Sequence, residues 1–173
     1  MTYGSTLETA AARAAISKGD GVALERYLRE GGNNPVQNIT VATANLIPGT
    51  NLFNRAAGIT ATLPLATGSQ DVVRVIVQTL LTGSGIIKVA RAADALAGNL
   101  IGATIAAAAP LAVAANQLGA QNTYSDTITM NGGTTGGGVG TVLTLTDIAP
   151  NIWLVEGHLN VVGTMTSPFS AAV

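Results

Sequence analysis

Cysteine is absent from this chain, histidine occurs once, and only six of the 173 residues are aromatic. The first absence excludes disulfides and thiolate metal sites. The second excludes a histidine pair, a histidine-based metal cluster and a two-histidine relay, because His158 stands alone. Six aromatics and no basic run argue against nucleic-acid binding, which needs a basic patch and stacking side chains. Charge is scarce as well: 10% of residues are charged and the formal net charge is −1, which supplies no electrostatic argument for nucleic acid or an anionic membrane. The length suits one ordinary domain with a short appendage, with a core large enough to need no staple.

The charges that exist are unevenly placed. Glu8, Arg13, Lys18, Asp20, Glu25, Arg26, Arg29 and Glu30 all lie in the first 31 residues. The remaining 142 residues carry nine charges, about 6% against roughly 25% in ordinary globular domains. So few surface charges invite self-association: either Thr, Asn and Gly keep that surface wet or, as the favoured reading, much of it is covered by other subunits. No secretory h-region forms near the start, because Glu8 and Arg13 interrupt the first apolar stretch. The run from Ile101 to Ala115 is mostly alanine, contains Pro110 and is too short for a bilayer. No membrane association is expected.

The segment 1–34 reads as a helical arm. Ser5-Thr6-Leu7-Glu8 has the form of a capping box, and Thr9 to Ile16 is rich in alanine, a strong helix former. After Lys18-Gly19-Asp20-Gly21, a second helical piece runs to about Glu30, with Leu24, Tyr27 and Leu28 on one face. Gly31-Gly32-Asn33-Asn34-Pro35 stops it and reads as a hinge. A mixed-charge helix of this kind is either a solvated face or a docking segment whose ion pairs are completed on a partner.

From residue 35 onward the hydrophobic period is two. Strands are expected at Asn38–Ala44, Asn51–Arg55, Ile59–Leu63 and Asp71–Leu81, with Ile86–Ala90 returning after a Gly83-Ser84-Gly85 turn. Ile59, Ala61 and Leu63 share one face, as do Val73, Val75 and Val77. Val72, Arg74, Ile76 and Gln78 form a second, half-apolar face. Residues 91–120 suggest loop, short strands and one helical turn, because Gly98, Gly102 and Pro110 break any long helix. Strands then resume at Thr127–Met130, Val139–Thr146, Asn151–Glu156 and His158–Val162. The expected fold is mainly β: an antiparallel sandwich or jelly-roll/barrel-like domain over 35–173, preceded by the arm at 1–34.

Chemistry-bearing patterns are missing. Asp71, Asp94, Asp126, Asp147 and Glu156 are scattered, form no metal-loop spacing and read as solvated turn or strand-edge carboxylates. Asn131 to Gly140 is glycine-rich, yet it leads into a strand-like segment and has no lysine, so it is not a phosphate cradle. Trp153 is expected in the core against Phe53 or Phe169. No catalytic, cofactor or metal residue is expected.

Four stretches carry a likeness to a known family. They are NLFNRAAGITATLPLATGS, VVRVIVQTLLTGSGIIKVA, DTITMNGGTTGGGVGTVLTLTDI and NIWLVEGHLNVVGTMTSPFS. In that order they resemble the small capsid decoration (cement) proteins of tailed bacteriophages, over about Leu46 to Val173. The resemblance departs at the Ala-rich stretch 103–115, which has no counterpart motif, and at the arm, which is variable in such proteins. The resemblance implies a non-enzymatic virion protein without cofactor, assembled in the host cytoplasm. It implies a homotrimer on the outer capsid surface, bound to the major capsid protein and stabilising the shell. The charged arm would then supply capsid or subunit contacts through Arg13, Lys18, Leu24, Arg26, Tyr27, Leu28 and Arg29. The competing expectations are a phage tail or fibre module binding a surface glycan, and a small hydrolase on a β scaffold.

Overall fold

The structure, a computed structural model, describes residues 35–104, 115–120, 125–162 and 165–171. The expected helical arm, with all seven of its contact residues, lies outside the described residues, as does most of the Ala-rich run. Residues 36–173 form one compact unit.

Its strands are β1 (Val36–Ile39), β2 (Thr43–Asn45), β3 (Gly49–Phe53), β4 (Ile59–Thr62), β5 (Val72–Val77), β6 (Gly85–Lys88), β7 (Ala95–Thr104), β8 (Ala115–Ala120), β9 (Thr127–Met130), β10 (Val142–Ala149), β11 (Ile152–Val161) and β12 (Phe169–Ser170). They form a seven-stranded sheet, β1-β3-β5-β10-β11-β7-β8, and a five-stranded sheet, β12-β9-β6-β4-β2. Up to β6 the chain alternates between them, odd strands in the first and even strands in the second. β1, β3 and β5 are parallel neighbours, and so are β2, β4 and β6. The first half is therefore three turns of a two-sheet coil. β10 then runs antiparallel beside β5, and β9 antiparallel beside β6.

This corrects the antiparallel expectation: both sheets are mixed. Parallel neighbours need a crossover connection, and here the crossover is a strand of the opposite sheet. Gly83-Ser84-Gly85 accordingly makes no hairpin. It ends the passage from β5 in one sheet to β6 in the other, where Ile59 N donates to Ser84 O at 2.9 Å.

Inward faces follow the period-two pattern. Val73, Val75 and Val77 are buried, as are Ile59, Ala61 and Leu63. They join Leu143, Leu145, Trp153, Val155, Leu96, Leu100, Ile87, Ile128 and Met130 in one hydrophobic cluster fed by both sheets. Trp153 and Phe53 are fully buried members, and Phe169 packs against the cluster half-buried.

Two further expectations change. Among the described residues, 91–120 holds no helical turn. Ala95–Thr104 is a ten-residue strand hydrogen-bonded on both sides, to β11 and β8, so sheet pairing overrides alanine's weak strand preference. The segments 151–156 and 158–162 form essentially one strand, β11, continuous through Gly157 at φ 145°. β10 and β11 meet through Pro150-Asn151, with Asn151 at φ 67°. A proline followed by a left-handed asparagine is the sequence of a type II turn.

Candidate functional site

Three of the five carboxylates expected at the surface are buried: Asp94, Asp126 and Asp147. Asp147 lies on the inward side of β10 and is wrapped by the loop before β5. It accepts from Thr67 N at 2.9 Å, Thr67 Oγ1 at 3.1 Å, Gly68 N at 2.8 Å and Ser69 N at 3.0 Å. The Ser69 hydroxyl stands between Asp147 and Asp71, 3.0 Å and 2.8 Å away, with one proton to donate. Burial alone would raise the Asp147 pKa. The amides of Thr67, Gly68 and Ser69 and the Ser69 hydroxyl outweigh it and hold the pKa below the ordinary 3.8. These groups do not form a hydrolytic triad. Asp147 pairs with Trp153 and His158 with Val142, five ladder positions away, or about 17 Å. His158 Nε2 instead meets Gly140 O at 3.0 Å.

Asp94 anchors a second knot. Arg91 Nε donates to Asp94 Oδ1 at 2.8 Å, Arg91 reaches Asn151 Oδ1 at 2.7 Å, and Ala66 N donates to Asp94 Oδ2 at 3.4 Å. Three connections (β4–β5, β6–β7 and β10–β11) are tied at one corner. Asn51, fully buried in β3, performs a similar task. Its side chain accepts from Ile47 N at 3.1 Å and donates to Ile47 O at 2.9 Å, satisfying both backbone groups of Ile47 in the turn before β3.

The glycine-rich loop 131–140 crosses from β9 in one sheet to β10 in the other, and several of its backbone amides are already engaged. Asn131 Oδ1 accepts from Gly133 N and Thr135 N, Gly132 N donates to Gly136 O, and Gly140 N donates to Val77 O. Amides committed in this way cannot cradle a phosphate. Gly132, at φ 73°, leaves no room for a Cβ, which would collide with the Leu81 carbonyl oxygen. Among the described residues no group of three His, Asp or Glu is arranged to hold a metal ion.

What remains is surface, and the two sheets present different ones. Outward on the five-stranded sheet, the register aligns Thr43, Thr60, Ile86 and Thr129 in one row and Asn45, Thr62 and Lys88 in the next, where their partner Thr127 is buried. This is a hydroxyl-rich face. Outward on the seven-stranded sheet, three rows run across the strands. Leu52, Ile76, Val142, His158 and Ile101 form one, and Val72, Thr146, Leu154 and Ala97 another. Between them runs a polar row: Thr50, Arg74, Thr144, Glu156 and Asn99. Val72 is 45% exposed and Ile101 55%, high for large aliphatic residues on one sheet face. A shallow depression of about 280 Å³ opens on this face, lined by Gly98, Asn99, Ile101, Leu154, Glu156 and Gly157.

None of the sequence-predicted contact residues Arg13, Lys18, Leu24, Arg26, Tyr27, Leu28 and Arg29 falls within the described residues. The surface that the structure adds is built instead from Arg74, Glu156 and their apolar neighbours. Its signal was the half-apolar second face of β5, where Val72, Arg74 and Ile76 alternate with the core valines. Comparison with protein-family models, with curated proteins and with solved structures returns no match.

Proposed function

We propose that this chain is a non-enzymatic structural protein that binds the outer surface of a tailed-bacteriophage capsid, contacts the major capsid protein and reinforces the shell. The observation that carries the reading is the outward face of the seven-stranded sheet. It is broad, with two largely apolar rows either side of a polar one, and Arg74 and Glu156 are the only charges among its described strand residues. Such a face is suited to being covered by another subunit of an assembly, coat protein or a second copy of this chain. The resemblance of the four sequence stretches to decoration proteins supplies the partner. Two sheets feeding one core read as a sandwich, and the hydroxyl-rich face of the smaller sheet is suited to staying wet.

The residues that carry the resemblance have structural roles in this fold, as a scaffold family requires. In the Arg-Ala-Ala-Gly piece, Arg55 Nε donates to Gly58 O at 3.2 Å and steadies the β3–β4 connection. A glycan-binding module would need exposed aromatic platforms. Among the described residues, Phe53 and Trp153 are buried and Phe169 is half-buried, so no observation favours that alternative. The test is co-sedimentation of purified protein with expanded capsids that lack it. Saturable binding, together with greater resistance of the particles to heat or chelation, is expected. Absence of binding to such capsids ends the proposal.

A further inference from the structure

The outward face of the seven-stranded sheet has a symmetry that a single copy leaves unused. Thr144 of β10 is flanked in register by Arg74 of β5 on one side and Glu156 of β11 on the other. Each lies about 5 Å from the β10 line. Both side chains are exposed, and neither takes part in an ion pair; the pair seen among the described residues joins Arg91 and Asp94. Strand directions share the symmetry. β5 and β11 both run antiparallel to β10, β3 runs parallel to β5, and β7 runs parallel to β11.

We propose that two copies of this chain associate through these faces, about a two-fold axis running along β10 over Thr144. That operation lays each strand of the face over a strand of the same direction in the second copy. Arg74 comes to lie over Glu156 of the second copy, and Glu156 over its Arg74. Leu52 meets Ile101, Val72 meets Leu154, and Val142 meets its own equivalent. An isologous interface requires this self-complementarity. The apolar rows supply area, and the two charge pairs fix the register.

Five strands about 4.8 Å apart and a comparable length along the strands give roughly 500–600 Å² per copy. This is somewhat below the roughly 800 Å² per partner of a standard interface, so the dimer is reversible. The pairing is two-fold, in place of the three-fold association that the resemblance implies. It does not rest on the decoration reading: a dimer without capsid affinity would sink that reading and leave this one intact.

Sedimentation equilibrium on the full chain tests the proposal with four proteins: wild type, R74E, E156R and the double reversal R74E/E156R. The wild type is expected to dimerise. Each single reversal sets like charges against each other at both symmetric positions and weakens the dimer by about tenfold or more. The double reversal restores the pairing to near wild-type affinity, with all four sharing one Trp153 emission spectrum as proof of a common fold. A monomeric wild type overturns the proposal and leaves the face to the arm or to the coat protein. An oligomer indifferent to the single reversals, or one that the double reversal does not rescue, overturns it equally.

Discussion

A carboxylate sunk into a charge-poor body must be held by donors, and Asp147 is held by three backbone amides and the Thr67 hydroxyl. Replacing it with Asn keeps the shape but turns one oxygen into a donor that faces other donors. D147N is therefore expected to lose about 2–4 kcal/mol of stability at neutral pH. Urea unfolding followed by the single buried tryptophan, Trp153, measures this. Asp147's folded pKa lies below its ordinary value of 3.8. Its contribution is thus fully present above that value and is lost as pH falls through the folded pKa. The gap between wild type and D147N should hold from pH 7 to pH 5 and narrow below about pH 4. A gap independent of pH would show that the carboxylate's charge contributes nothing. Gly132 makes the complementary point about backbone. At φ 73°, against the Leu81 carbonyl, G132A is expected to cost about 2 kcal/mol or more in the same assay. An unchanged midpoint would mean that the loop does not hold this conformation.

Elements are tied to one another at corners, and the Arg91–Asp94–Asn151 knot is the clearest tie. Asp94 is buried while the Arg91 side chain is 46% exposed, so water can partly replace the guanidinium. R91A is expected to cost only about 1–2 kcal/mol, and a double-mutant cycle with D94A should show about 1 kcal/mol of coupling. Additive effects would mean that the two residues act separately. Such ties mark where the sequence stopped being readable. The inward alternation of Ile59, Ala61 and Leu63, and of Val73, Val75 and Val77, was legible because period two is written in adjacent residues. The destination of each strand was not. A Gly-Ser turn between two apolar runs has the same composition whether it closes a hairpin or carries the chain to the opposite sheet. The coil also left no fixed repeat, since its strands and connections differ in length. Asp147 read as a surface carboxylate because its donors, Thr67 to Ser69, lie about 80 positions earlier in the chain. The outward apolar face was half legible. Val72, Arg74 and Ile76 announced it within β5, but its extension across β10, β11 and β7 depends on register.

At the scale of the whole molecule, the division of labour between arm and body makes a separate prediction. Every described residue of the hydrophobic cluster lies between Ile39 and Phe169, within the compact unit that begins at Val36. Removing residues 1–34 should therefore leave the Trp153 unfolding transition within about 1 kcal/mol of the full chain, because every described core residue is retained. Self-association through the seven-stranded sheet should survive as well, since Arg74, Glu156 and the apolar rows all remain. Capsid affinity should behave differently. If Arg13, Lys18, Arg26 and Arg29 complete ion pairs on a neighbouring coat subunit, the arm is a second binding site joined to the first by the Gly31–Pro35 hinge. Losing a tethered second site removes its effective concentration, for a drop of about 100-fold or more. That component should also shrink in the full chain as salt rises, because it is electrostatic. Capsid binding by the truncated protein, compared with the full chain at low and high salt, decides the matter. Equal affinities under both conditions would assign capsid binding to the β body alone and leave the arm's mixed charges to solvent.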